Sequence, residues 1–133
     1  MKKIVAFVCI HNSCRSQMAE GFAKLLGKDV LEVYSAGTEE YPGPKAMAIE
    51  VMEDIGIDMS THTSKLLEDI PKKLDILITM GCGVECPFVP TNHREDWGLE
   101  DPSGGPKSGF EKTRDTIKRK VIDLIDRVKK EEL

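Results

Sequence analysis

The sequence is poor in aromatic residues, with one Trp, two Tyr and four Phe in 133 positions. It has no basic excess either: 19 Lys and Arg stand against 23 Asp and Glu, for a net charge of −4. Nucleic-acid binders carry a basic face interleaved with aromatics, so nucleic acid is not an expected partner. No run approaches the roughly 18 to 20 apolar residues that a membrane span needs, so no membrane association is expected. The start, "MKKIVAFVCI", is basic and then apolar, but the apolar run is short and no small-residue cleavage site follows. A first β-strand and a cytoplasmic location are the expectation. There is no linker, repeat or low-complexity stretch, which points to one domain over residues 1–133.

What is present alternates in type. "KIVAFVCI" is almost continuously apolar, as a strand covered on both faces should be. "SCRSQMAEGFAKLLG" places Met18, Phe22, Leu25 and Leu26 on one helical face, with Gly27 as a C-terminal cap. "VLEVYSAG" reads as a second strand. "YPGP" is a turn, Pro44 suits a first helical turn, and "KAMAIEVMEDIG" carries Ala48, Met52 and Ile55 on one side and stops at Gly56. "LDILITM" is a third buried strand. Residues 81–109 are rich in Gly and Pro, with a hint of strand near Trp97, which is expected in the core. A last helix over 109–130 spaces Ile117, Val121, Leu124, Ile125 and Val128 at helical intervals. Strands alternating with helices imply an α/β fold, a parallel sheet wrapped by helices, with ligands beyond the carboxyl ends of the strands.

At such an end lies "CIHNSCRS", Cys9 to Ser16. A strand runs through this loop into a helix N-terminus, where free backbone N–H groups and the helix dipole favour an anion. The loop residues Ile10, His11, Asn12, Ser13, Cys14 and Arg15 form the expected oxyanion cradle. The same field favours a thiolate, which makes Cys9 the candidate nucleophile. Arg15 offers a planar fork of donors for a tetrahedral oxyanion, and Ser16 can donate its hydroxyl to the sulfur. Asn12 tolerates left-handed backbone. Cys14 is expected to be a small packed residue and not a second nucleophile. Downstream, "EDPSGG" places Asp101 before Pro102, where it could serve as a general acid, although Asp-Pro often just begins a turn.

The chain has four cysteines, and two of them, Cys82 and Cys86, stand four residues apart in "MGCGVECP". In a reducing compartment metal binding or redox work is the expected use, ahead of a permanent staple. For zinc, His93 could be a third ligand, but no fourth lies near in sequence. No bound metal is therefore expected. Gly81 and Gly83 would allow the excursions of a travelling thiol.

The cysteine–five–arginine–serine loop with a late Asp-Pro resembles the low-molecular-weight tyrosine phosphatase fold. More closely, "CIHNSCRSQMAEGFAK", "YSAGTE", "THTS", "ITMGCGVECP" and "WGLEDPSG" resemble the thioredoxin-coupled arsenate reductases built on it. The resemblance covers nearly the whole chain. It implies a four-stranded parallel sheet with helices on both faces, and a monomer. It also implies reduction of arsenate, with phosphate or sulfate as analogues. In that mechanism Cys9 attacks arsenic with help from Arg15 and Asp101, Cys82 then attacks Cys9, and Cys86 attacks Cys82. The expected donor is thioredoxin, with a small thiol such as mycothiol as the other class. His62 matches the family's loop histidine. Some relatives bind potassium beneath the loop; Asn12, Glu20 and Ser35 match that site, but Lys65 stands where an acidic ligand would be. His11 replaces a glycine common among relatives. The alternative reading is a tyrosine phosphatase of this fold. Against it, "SGGPKSGF" offers only Phe110 to grip an aromatic ring, and Gln17 stands where many such phosphatases have proline.

Overall fold

The structure is a computed structural model that describes residues 2–9, 12, 14–39, 42–81 and 90–133. Four parallel strands form one sheet in the order β2-β1-β3-β4. They are β1 (Lys3–Cys9), β2 (Leu31–Gly37), β3 (Leu74–Thr79) and β4 (Thr91–Asp96). Among the described residues the helices are α1 (Arg15–Leu26), α2 (Ala46–Glu53) and α3 (Lys107–Lys129), with a 3-10 turn at Leu67–Asp69.

β1 is central because it is apolar on both sides. Val5, Phe7 and Cys9 face the core shared with α1, α2 and α3. Ala6 and Val8 face a smaller core with Ala36, Ile70, Leu74 and Leu77, covered by Leu67 of the 3-10 turn. Among the described residues all three α-helices pack on the first face, and the second is covered by this one 3-10 turn where a helix was expected. The strand order reverses direction at β1 and β3, the switch point where such folds bind ligands. Cys9 pairs with Gly37, and Val8 pairs with both Ala36 and Thr79, so three strands end level at the site.

Several element expectations need correction. α1 buries Met18, Ala19, Phe22 and Ala23, whereas Leu25 is 56% exposed and Leu26 38%. At 3.6 residues per turn Leu25 lies about 200° round from Ala23, on the solvent side. α2 ends at Glu53, so Ile55 falls in the closing turn and is exposed. There Gly56 takes φ 86° and the Ile57 N–H reaches the Met52 carbonyl at 3.0 Å, a Schellman closure. Pro44 precedes the helix, whose N-cap is Lys45. α3 begins at Lys107 and ends at Lys129. Its residues Ile117, Val121, Leu124, Ile125 and Val128 are all buried, as is Trp97, whose ring centre lies 5.6 Å from that of Phe7.

Candidate active site

Cys9 ends β1 and is 4% exposed. Its Sγ accepts the Asn12 backbone N–H at 3.2 Å and lies 2.9 Å from Ser16 Oγ. Asn12 sits at φ 53°, the left-handed region open to asparagine, which turns its N–H inward. The direction of the Ser16 hydroxyl follows from the network around Asn12. Asn12 Oδ1 accepts the Lys65 backbone N–H at 2.9 Å, a group that can only donate. Its Nδ2 must then donate to Ser16 Oγ, at 2.8 Å. With that bond filling one of the two acceptor positions of the Ser16 oxygen, its hydroxyl proton is free to point at Cys9. The sulfur is met by donors, which suits a thiolate.

α1 starts beside it. Its N-cap, Cys14, makes no side-chain cap bond, and the first turn holds no acidic residue. The positive end of the helix is therefore left for an incoming anion. Cys14 itself is buried, as expected of a packed residue. Burial first, and then the negative charges of Asp101 and Cys9, push its thiol up to about 12, so it does not compete as a nucleophile.

Arg15 is 6% exposed. Its Nη1 donates to the Met80 carbonyl at 3.0 Å and to the Leu99 carbonyl at 2.8 Å. Nε and Nη2 carry the remaining donors of the fork, the pair a tetrahedral oxyanion takes. Nη2 lies 3.9 Å from Asp101 Oδ2. Asp101 is half exposed and accepts the Ser103 backbone N–H at 3.0 Å. Burial would raise its carboxyl, but the Ser103 hydrogen bonds outweigh it. With Arg15 and Lys45 nearby, the carboxyl is held below the usual range. Asp101 is thus a carboxylate at neutral pH before any substrate binds.

Beneath the loop is a buried polar layer that the sequence pattern did not reveal. Gln17 is its hub. Its Nε2 faces three carbonyl oxygens, Asn12 O at 3.0 Å, Asn12 Oδ1 at 2.9 Å and Thr63 O at 2.9 Å. Its Oε1 therefore faces His62 Nδ1 at 2.9 Å, and that nitrogen carries the proton. Ser64 also donates to Asn12 O, at 2.7 Å. A lone Gln in a first helical turn has no signature in one sequence; only the closed network identifies it.

The oxygens implied for potassium are already engaged. Ser35 donates its hydroxyl to Glu20 Oε1, the Lys65 ammonium lies 3.5 Å from the same oxygen, and Lys24 Nζ is 2.9 Å from Oε2. Burial opposes a charge on Glu20, yet Ser35, Lys24 and Lys65 together hold its carboxyl below the usual range. With Asn12 Oδ1 also taken by two donors, these residues do not fit a bound cation as they stand.

The structure thus brings Cys9, Asn12, Arg15, Ser16 and Asp101 together, with Cys14 at the helix start. Ile10, His11, Ser13, Cys82 and Cys86 lie outside the described residues. Gly81 lies close against Gly98 and Leu99; Gly83 lies outside the described residues.

A cysteine cradled at a strand-to-helix loop, with an arginine fork and an aspartate across the mouth, defines an oxyanion-handling thiol enzyme of the α/β class. The chain belongs to the low molecular weight phosphotyrosine protein phosphatase family, whose model matches residues 4–133. It is 48% identical over 121 residues to an arsenate reductase of Staphylococcus aureus, covering 88% of this chain and 92% of that protein. Among solved structures it resembles an arsenate reductase in the phosphate binding state, with a TM-score of 0.87 and 43% identity over 96% of this chain and 99% of the other. It also resembles a thioredoxin-dependent arsenate reductase of Corynebacterium glutamicum, with a TM-score of 0.79 and 26% identity, covering 96% of this chain and 62% of that one. Among the described residues no helix is long and apolar enough to cross a membrane.

Proposed function

We propose that this protein is an arsenate reductase that works through a three-cysteine relay recycled by thioredoxin. The likeness at 48% identity to an arsenate reductase, over 88% of the chain, carries the reading. The chemistry of the residues supports it. The Cys9 thiolate attacks arsenic of arsenate, an oxygen leaves as water, and a Cys9 sulfur–arsenic bond forms. Arg15 holds the oxyanion charge. Asp101 delivers the proton once the arriving anion, competing for Arg15, has raised its basicity. The Cys82 thiolate then attacks Cys9 Sγ. The sulfur–arsenic pair stays on arsenic, arsenite leaves, and a Cys9–Cys82 disulfide remains. Attack by Cys86 on Cys82 frees Cys9 and leaves a Cys82–Cys86 disulfide for the donor dithiol.

Hydrolysis of phosphate monoesters is the second reading, favoured by the family itself. Phe110, the single aromatic after Asp101 in "SGGPKSGF", is buried at 3% exposure, so that stretch offers no exposed ring to grip a phosphotyrosine. In the cation layer, the Lys65 ammonium takes the place of a bound monovalent ion.

The test is arsenate-dependent NADPH oxidation with purified thioredoxin and thioredoxin reductase, with aryl-phosphate hydrolysis read on the same samples. Wild type should turn over arsenate, Cys86→Ser should not, and added potassium should not activate. Brisk hydrolysis without arsenate turnover, with thioredoxin or with small thiols, would replace the reading by a phosphatase. Clear potassium activation would remove the role given to Lys65.

A further inference from the structure

Gly81 lies one residue before Cys82 and takes φ 80°. A Cβ at that position would stand 2.5 Å from Gly98 Cα, 2.6 Å from Leu99 N and 2.7 Å from the Gly98 carbonyl carbon. These are backbone atoms, with no rotamer by which to move aside. On one side of the crossing the Met80 carbonyl accepts the Leu99 N–H at 3.2 Å. The carbonyls of Met80 and Leu99 then hold Arg15 Nη1 between them. Two residues beyond Leu99 is Asp101. Two chain segments well apart in sequence thus touch backbone to backbone, and a single guanidinium nitrogen is clamped across the join.

We propose that the Gly81–Gly98 crossing is the device that aims Arg15. It sets the spacing of the two carbonyls that clamp Nη1, and so turns Nε and Nη2 toward the Cys9 loop while holding Asp101 beside them. Gly81 touches no substrate; it is a positioning residue for oxyanion capture. This rests on the reading of the Cys9 loop as an oxyanion site. Any side chain at Gly81 pushes the 98–99 backbone outward by a sizeable fraction of an ångström, and a misplacement of about 1 Å costs on the order of 100-fold in a site of this kind.

The experiment compares wild type, Gly81→Ala and Gly56→Ala. The last is a matched control, because Gly56 has φ 86° and its Cβ would meet nothing within 4 Å. Phosphate affinity is measured by calorimetry, and the rate of Cys9 alkylation against pH by peptide mass spectrometry. Gly81→Ala should bind phosphate on the order of 10- to 100-fold more weakly. Its Cys9 alkylation should not change, because the contacts of the sulfur with Ser16 and the Asn12 N–H do not pass through the crossing. Gly56→Ala should keep both. Unchanged phosphate affinity in Gly81→Ala, or a parallel loss of affinity and alkylation, overturns the proposal. Failure of wild type to bind phosphate overturns the reading of the site, and this proposal with it. A second measurement needs no variant: in the guanidinium NMR spectrum of Arg15, phosphate should shift Nε and leave Nη1 in place. Release of Nη1 from its carbonyls on phosphate binding would also overturn it.

Discussion

At the scale of the residue, one hydroxyl hydrogen bears on the bonding of the Cys9 sulfur. Ser16 has one hydroxyl hydrogen, and the Asn12 amide fills one acceptor position of its oxygen at 2.8 Å. The hydrogen is free to go to the sulfur at 2.9 Å, where it is a donor suited to a thiolate. A hydrogen bond to a charged partner is worth about 1.5–3 kcal/mol net. Ser16→Ala removes it and leaves Asn12 Nδ2 without its acceptor. Alkylation of Cys9 at neutral pH should slow roughly 10- to 100-fold, and arsenate turnover should fall with it. Alkylation at the wild-type rate would mean that the backbone N–H groups and the helix dipole alone hold the charge. Asparagine at position 12 could be anticipated from its tolerance of left-handed backbone. Its part in orienting Ser16 could not, because that depends on the Lys65 N–H, far along the chain.

At the scale of elements, β4 shows where periodicity fails. Its sequence, Thr91 to Asp96, contains no apolar residue, so no hydrophobic alternation marks it as a strand. Burial alternates nonetheless, because Thr91, His93 and Glu95 are half covered while Asn92, Arg94 and Asp96 are exposed. A polar strand is tolerable at this edge because the inner side is satisfied by a clamp. Arg127 of α3 holds Glu95 through two bonds, at 2.8 and 3.1 Å, with His93 and Trp97 adding one each at 2.9 Å. Burial raises the Glu95 carboxyl, but these donors prevail and hold it at about 2. A depressed carboxylate contributes stability above its ordinary value near 4.5, and that contribution is lost as pH falls toward 2. Glu95→Gln should therefore cost stability at pH 7, by about 1 kcal/mol given solvent screening of so exposed a pair. The difference from wild type should shrink between pH 4.5 and 2. Urea unfolding at pH 7 and pH 3 measures it, and an equal difference at both would show that the clamp works through shape and not charge.

For the molecule as a whole, the legible part is the part written in local pattern. The apolar runs of β1 and β3 and the spacing of Ile117, Val121 and Leu124 announce an α/β fold, and Cys9 through Ser16 announces the site. Hidden from the sequence is how distant segments meet: Gln17 with His62, Gly81 with Gly98, and Arg15 with the Met80 and Leu99 carbonyls. Those contacts are made by backbone atoms and by polar side chains, which carry no periodic signal. They also make Arg15 a tie among the end of β3, the loop before Asp101 and the anion cradle, so occupancy of the cradle should be felt by the whole fold. Phosphate at about 100 times its dissociation constant should stabilise the native state by about 2.7 kcal/mol, a rise in melting temperature on the order of 10 °C. Arg15→Lys replaces the fork by a point charge that cannot hold two carbonyls and grip an oxyanion together. It should melt lower without phosphate, by about 1–3 kcal/mol for the carbonyls left unpaired, and lose most of the phosphate shift. A scanning calorimetry series in phosphate decides this. A full shift in the lysine variant would mean that the loop N–H groups bind the anion unaided, and that Arg15 serves the fold more than the oxyanion.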